Sequence, residues 1–221
     1  MTLQPLLKFS NGATPAKNLT LQKALRILTL PPFWNRVDYR PALLALSRGI
    51  LNKTERQKTL REKLKQSVWG GIHALDSASH VVILLARKRA DLLPHSDYLH
   101  NVMANVHKIP TEGIQLRRDY FANFGEKEWG FLNDDAATFA WSARQCYIAL
   151  GNMMTTAAAL NIDSCAIEGF NLKETSTLLE KENVLDSHHF GLAVMVGFGF
   201  AGEPPKHEKT RTPIEKISTF L

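Results

Sequence analysis

The sequence predicts an α+β domain, on three observations. The run "VVILLAR" at 81–87 is short, unbroken and rich in β-branched residues, as a buried strand requires. The run "HFGLAVMVGFGF" at 189–200 alternates residue by residue, the period of a strand. Helical stretches fall between and around these two without a regular β-α-β rhythm, which favours α+β over a doubly wound parallel sheet.

Taken in order, Thr54–Val68 ("TERQKTLREKLKQSV") is charged and rich in helix formers, so an exposed helix is expected. "WGG" at Trp69–Gly71 ends it, and "DSASH" at 76–80 leads into the first strand. Helices are expected near 96–108 and 113–124. Asn133–Asp135 supplies capping oxygens and negative charge for a helix start. The following run, "AATFAWSARQCYIALGNMMTTAAALNI", is apolar almost all round and would span roughly 40 Å as a helix. Thr138, Ser142, Gln145, Ala149, Asn152 and Thr156 form one stripe of small or polar residues along it, suited to close helix–helix contact. The run is either a core helix or the seam of a dimer.

"SCAIEGF" at 164–170 reads as a strand ending in Glu–Gly, and Asn171 with Glu174 caps the amphipathic helix "LKETSTLLEKEN". In the second alternating run, Phe190, Leu192, Val194, Val196, Phe198 and Phe200 are expected on one face. Gly191, Ala193, Gly197 and Gly199 lie on the other and leave room for a neighbouring element. A polar segment at 202–213 precedes "IEKISTFL".

The formal charge of +6 invites a nucleic-acid reading, but the charge is local. Residues 1–70 carry 13 Lys/Arg and 3 Asp/Glu, whereas residues 71–221 carry 14 and 18. No nucleic-acid partner is expected. The longest apolar run is broken by Asn152, Thr155 and Thr156, so no membrane span is expected either. Cys146 and Cys165 form no CxxC and no cluster with His, which argues against a zinc site or disulfide framework and fits a reducing cytoplasm. The start shows no basic-then-apolar leader pattern, so a cytoplasmic protein is expected. Signatures of a Ser/His/Asp nucleophile, HExxH and a phosphate-binding P-loop are missing. His80 and the pair His188–His189 lack ligand spacing and read as strand-edge residues.

Two features remain as candidate chemistry. Glu168 sits at an apolar strand end with Gly169 beside it. It is either a strand-end carboxylate near water or part of a backbone held against a flat ligand, with Gly169 permitting close approach. Lys209 and Arg211 in "EKTRTP" point the same way in an extended segment. They are either an exposed basic tail or an anion site, phosphate being the obvious partner.

"DSASHVVILLAR", "WSARQCYIALGNMMTTAAALNIDSCAIEGF" and the late "KTRTP" together resemble the FMN-dependent nitroreductase family, over residue 59 to the C-terminus. The resemblance implies an α+β homodimer, a mainly antiparallel sheet flanked by helices and a long central helix at the dimer interface. It implies FMN between subunits, NAD(P)H as hydride donor, and a nitroaromatic, quinone or similar small-molecule electron acceptor. It would place Ile167, Glu168 and Gly169 at the flavin ring, and Lys209 and Arg211 near the FMN phosphate. Trp69, Gly70 and Gly71 would line the flavin or nicotinamide side. The flavin carries the chemistry, so no side chain is assigned a catalytic role.

Residues 1–58 depart from that pattern, and 59–221 are read as the flavin-binding domain. "ILTLPPFWNRVDYRPALLALSRGI" at 27–50 has three prolines and neither helical nor strand spacing. The family's phosphate-binding opening and its "PSS" loop are missing. Reading residues 11–50 from each codon's third base offers a cause. From Asn11–Gly12 onward that frame permits "WRHACKEFDP". Phe33–Trp34 must give Leu, Trp34–Asn35 must give Glu, and Asp38–Tyr39 must give Leu, with neighbours permitting "RLSPSS". Near Arg48–Ile50 it permits "PWHF". Residues from about 10 to between 50 and 58 are therefore read as an out-of-frame translation between two compensating frameshifts. Such a segment is expected to pack poorly and FMN binding to be weak or absent. The alternatives are a divergent natural N-terminus and a cofactor-poor dimeric scaffold, or a flavin reductase or dehydrogenase with another acceptor.

Overall fold

A computed structural model of the chain describes residues 46–51, 55–200, 207–208 and 210–220. Four strands form one open sheet in the order β1–β2–β4–β3: β1 (Leu46–Leu51), β2 (His80–Arg87), β3 (Asp163–Ile167) and β4 (Phe190–Gly199). All neighbouring pairs are antiparallel. Apolar clusters cover both faces of the sheet, so the expected α+β class holds. β2 is buried from His80 to Ala86, which explains why its sequence does not alternate.

β1 lies within the front segment expected to pack poorly, yet it pairs with β2 from Leu46 opposite Ala86 to Leu51 opposite Val81. The expectation differs from the structure at these six residues. Strand pairing uses backbone groups that every non-proline residue carries, so an edge strand makes few demands on its side chains.

β4 departs from its expected facing. Leu84 pairs with Val194 but Leu85 pairs with Leu192, leaving Ala193 as the extra residue of a bulge. One added residue reverses the faces. Phe190, Leu192 and Met195 therefore join Ile83 and Leu85 on one side, while Val194, Val196 and Phe198 join Val82 and Leu84 on the other. The small residues do admit a neighbour. A Cβ on Gly197 would meet the Cβ of Ala74 at 3.1 Å and of Ala78 at 3.2 Å, where the helix α2 (Ile72–Ser77) crosses the strand.

The helix expected to be exposed, α1 (Glu55–Leu64), is instead amphipathic: Leu60 and Leu64 are buried and Val68 beyond it has no exposed surface. The charged residues mask a four-residue apolar spacing. Arg61 lies on the same buried side and donates to the carbonyls of Ala78 (2.6 Å), Ser79 (3.2 Å) and Leu75 (3.3 Å). These carbonyls lie at the C-terminal end of α2, where a cation is favoured.

Beyond β2, α3 (Arg89–Leu92), α4 (Asp97–Asn101) and α5 (Thr111–Ala122) enclose a third apolar cluster. α4 and α5 each continue into a π-helical turn, Val102–Val106 and Asn123–Glu128. Phe131 stacks on Trp141 at 4.2 Å inside this cluster.

The long apolar run forms α6 (Asp135–Ala159), its first turn capped by Asp134, whose carboxylate accepts from the Ala137 N–H at 2.7 Å. It stops at Asn161, which takes φ 55°. The Ile162 N–H bonds back to the Ala157 carbonyl (2.9 Å) and the Asn161 N–H to that of Ala158 (3.1 Å), the pattern of a Schellman terminus. α7 (Leu172–Lys181) ends the same way at Asn183, and starts with the Asn171 carbonyl oxygen of its side chain accepting from Glu174 N at 3.1 Å.

The small-residue stripe of α6 does not face outward along its length. Thr138 and Ser142 have no exposed surface and Gln145 is buried within the chain. Thr138 Oγ1 donates to the carbonyls of Phe131 (2.6 Å) and Asp134 (2.8 Å), which shows what the polar atoms serve. The open face runs through Ala140, Arg144, Tyr147, Ile148, Gly151, Asn152, Thr155 and Ala158, and so takes in one residue of the stripe. Among the described residues no helix is long and apolar enough to cross a membrane.

Candidate functional site

Two of the segments singled out in the sequence meet backbone to backbone. The 3-10 turn Trp69–Gly71 follows α1, and Ile167–Gly169 carries the chain out of the end of β3. The Gly70 N–H donates to the Gly169 carbonyl at 2.7 Å. A Cβ on Gly70 would stand 2.8 Å from Gly169 Cα, and one on Gly169 would stand 2.7 Å from Gly70 Cα. Both contacts are with backbone and cannot be relieved by a side-chain rotation, so each position requires glycine. A Cβ on Gly71 would press on the Ile167 side chain at 2.7 Å, and Ile167 is itself buried.

Further bonds hold the two segments in place. Asn171 N–H donates to the Ser67 carbonyl at 2.8 Å, and Thr175 Oγ1 lies 2.9 Å from Ser67 Oγ with both residues buried. The Glu168 carbonyl accepts from Phe170 N–H at 2.8 Å. The carbonyls of Glu168 and Gly169 are thus both occupied, whereas the Gly169 N–H has no acceptor among the described residues. Trp69 projects beside this turn with 73% of its surface exposed. A rigid backbone edge with the Gly169 N–H unoccupied and an indole alongside is suited to a flat, electron-accepting ring.

Glu168 is exposed, so its carboxylate stands at a rim rather than in the core. Tyr147 Oη donates to Glu168 Oε1. The Tyr147 phenol is pushed up to about 12, by partial burial first and then by the hydrogen bond and negative charge of Glu168. Sequence reading missed Tyr147 because a tyrosine inside an apolar helix breaks no pattern.

The expected phosphate end is less complete. Arg211 is exposed and its Nη1 donates to the Thr210 carbonyl at 2.7 Å. Among the described residues no hydrogen bond or ion pair joins it to the Trp69–Gly169 turn. Lys209 lies outside the described residues, as do positions 11–45 of the segment expected to be out of frame.

The histidines have structural surroundings. His80 is the buried first residue of β2, and burial, with the positive charge of Arg61 second, holds its imidazole below the ordinary range. His189 Nδ1 lies 2.9 Å from an oxygen of buried Asp91, which also pairs with Arg87. The Cys146 thiol is pushed up to about 12 by burial and serves as core. A separate, mainly apolar cavity of about 640 Å³ lies between α7, the start of β4 and the first turn of α6, lined by Phe139, Leu172, Phe190 and Leu192 among others. None of the residues singled out for a cofactor lines it.

Comparisons with known proteins bear on the same region. The model of the nitroreductase family matches residues 39–198, more than half of the chain. A Staphylococcus epidermidis protein named "Putative NAD(P)H nitroreductase" is 42% identical over 164 residues, covering 74% of this chain and 73% of the relative. A Staphylococcus aureus protein of the same description is 39% identical over 164 residues, covering 74% and 72%. Among solved structures, a nitroreductase family protein from Streptococcus pneumoniae superposes with a TM-score of 0.65 at 15% identity, over 96% of this chain and 93% of that one. A protein from Exiguobacterium sibiricum, solved in complex with FMN, gives 0.63 at 12% identity, over 96% and 89%. At these identities the structural likeness speaks for the fold.

Proposed function

The chain belongs to the nitroreductase family, and from that premise we propose that it is an NAD(P)H-dependent FMN oxidoreductase acting on a nitroaromatic, quinone or related acceptor. The observation that carries the reading is the glycine-to-glycine contact between Trp69–Gly71 and Ile167–Gly169. It brings into one rigid edge six residues that the sequence reading had separately assigned to the cofactor.

The residues present fit the ring end of FMN. A Cβ would fill the turn at either glycine, and the Gly169 N–H lacks a protein acceptor among the described residues. Bound FMN would accept hydride from NAD(P)H and pass electrons on. The protein's part is positional and electrostatic. Gly169 N–H would donate to the ring edge where negative charge builds, and a fixed donor there needs no reorganisation. Trp69 would cover the ring or the nicotinamide and exclude water. Lys209 and Arg211 would meet the phosphate. The open face of α6, with Tyr147, Ile148 and Gly151, would receive a second copy of the chain, so that the cofactor lies between subunits.

Residues from about 10 to 55 are read here as out of frame, which removes the family's other phosphate contacts. The chain as written then holds FMN weakly, and restoring the frame tightens binding by roughly 100-fold, the effect of about two charge-assisted hydrogen bonds. The test is reconstitution of both forms with FMN followed by anaerobic addition of NADH or NADPH. A flavin band that bleaches in the restored form supports the enzyme. A protein that neither takes up FMN nor is stabilised by it against heat is the cofactor-poor scaffold. The coding DNA across codons 8–60 tests the frame itself: a stop codon on reading from the third base excludes it.

A further inference from the structure

Resting on the flavin reading above, we propose that Tyr147 is a positioning residue. Its phenol ties the Glu168 side chain to α6, so that the Gly169 amide and not the Glu168 charge meets the electron-accepting edge of the ring.

Within the Glu168–Gly169 dipeptide, the backbone is already fixed. Its two carbonyls are taken by Phe170 N–H (2.8 Å) and Gly70 N–H (2.7 Å). The freedom that remains is that of the Glu168 side chain, which is exposed. Left loose, a carboxylate one residue from the Gly169 N–H has two damaging options. It can bond that N–H and block it, or it can rest beside the ring and oppose the negative charge that reduction adds. The bond from Tyr147 Oη removes both by holding the carboxylate on the helix side. The phenol stays a donor throughout the working pH range, since it ionises only near 12. Tyr147 is placed for this by α6, whose capped ends at Asp134 and Asn161 fix its register.

The position is specific to reduction. Oxidised FMN carries no charge on the ring, so a misplaced carboxylate affects it little. Reduced FMN feels that charge directly. Tyr147→Phe in the full chain therefore weakens binding of reduced FMN by roughly tenfold, the effect of one charge-assisted hydrogen bond, and of oxidised FMN by less than about threefold. The ratio of the two dissociation constants, measured anaerobically at saturating FMN, is a potential in another form and is not moved by general loosening. In a Glu168→Gln background the charge is gone, and Tyr147→Phe then leaves the ratio unchanged. An equal effect on both redox forms, or the same tenfold effect in the Glu168→Gln background, overturns the proposal.

A second readout needs no cofactor. Near pH 10.5 the wild type and Tyr147→Phe form the same amount of tyrosinate, because Tyr147 is still protonated, whereas Glu168→Gln forms more. An equal amount of tyrosinate in Glu168→Gln and wild type shows that Glu168 does not hold the phenol's proton and overturns the proposal. Failure of the frame-restored chain to take up FMN sinks the flavin reading and with it this role. Uptake with an unchanged ratio sinks the role of Tyr147 alone.

Discussion

Arg61 carries a charge into a helix-sheet interface and is held there by three carbonyls at the end of α2. Burial pulls its guanidinium below the ordinary value, yet arginine stays charged at any pH the fold tolerates. Arg61→Met keeps the apolar stem but strands those carbonyls. We expect a loss of about 2–4 kcal/mol, read by urea denaturation. His80 makes a pH prediction. It is held neutral in the fold while the unfolded chain protonates it near its ordinary 6.5. Below that pH the unfolded state binds more protons, so stability is fully present above about pH 6.5 and falls as pH drops beneath it. Thermal melts between pH 7 and 5 should show this slope, and His80→Phe should flatten it. At the site, Gly169→Ala presses a methyl onto Gly70 Cα. The expected cost is about 1–3 kcal/mol, or roughly 2–10 °C in melting temperature. The roles of Arg61 and His80 are not written in the residue alone, whereas Gly169 was expected to permit a close approach. A lone Arg in a charged helix reads as exposed, and only the packed neighbours reveal otherwise.

Individual elements were legible wherever local rules decide. Asp134 and Asn171 start α6 and α7 at the positions their side chains suggested, because capping is a contact within one turn. The bulge at Ala193 was not legible. Strict alternation through 190–200 says one face, and only the register against Leu84 and Leu85 shows the switch. The stripe on α6 left the choice between core and seam open for a related reason. A helix that is apolar all round carries no record of which side meets its own sheet. At Gly151 a side chain would meet nothing within 4 Å in its own chain. Gly151→Arg should therefore leave the fold intact, with unchanged far-ultraviolet circular dichroism, and convert a dimer to monomer in sedimentation velocity. A dimer that survives the substitution argues that the α6 face is not the seam. Asn161 and Asn183 both end helices at positive φ. Replacing Asn161 with Gly should be neutral or slightly stabilising, whereas Asn161→Val should cost about 1–2 kcal/mol in the same denaturation assay.

At the scale of the whole molecule, the nitroreductase family accounts for most of the chain. The match to the nitroreductase family runs from residue 39 to residue 198. The strand β1 lies within that match and joins the sheet through its backbone pairing with β2. In the proposed flavin site the ring end would rest on the paired glycine turns, which the structure describes, and the phosphate end would depend on Lys209 and Arg211. The sequence exposed the two loops of the ring end through their glycines, but not that they touch. Their contact is long-range and no local pattern encodes it. Hydrogen exchange of the full chain, with and without saturating FMN, tests that cradle most directly. The account predicts that amides in Ser67–Ile72 and Ala166–Asn171 slow together when FMN is added, Gly169 among them. Saturation with FMN that leaves both segments exchanging at their original rates would contradict it.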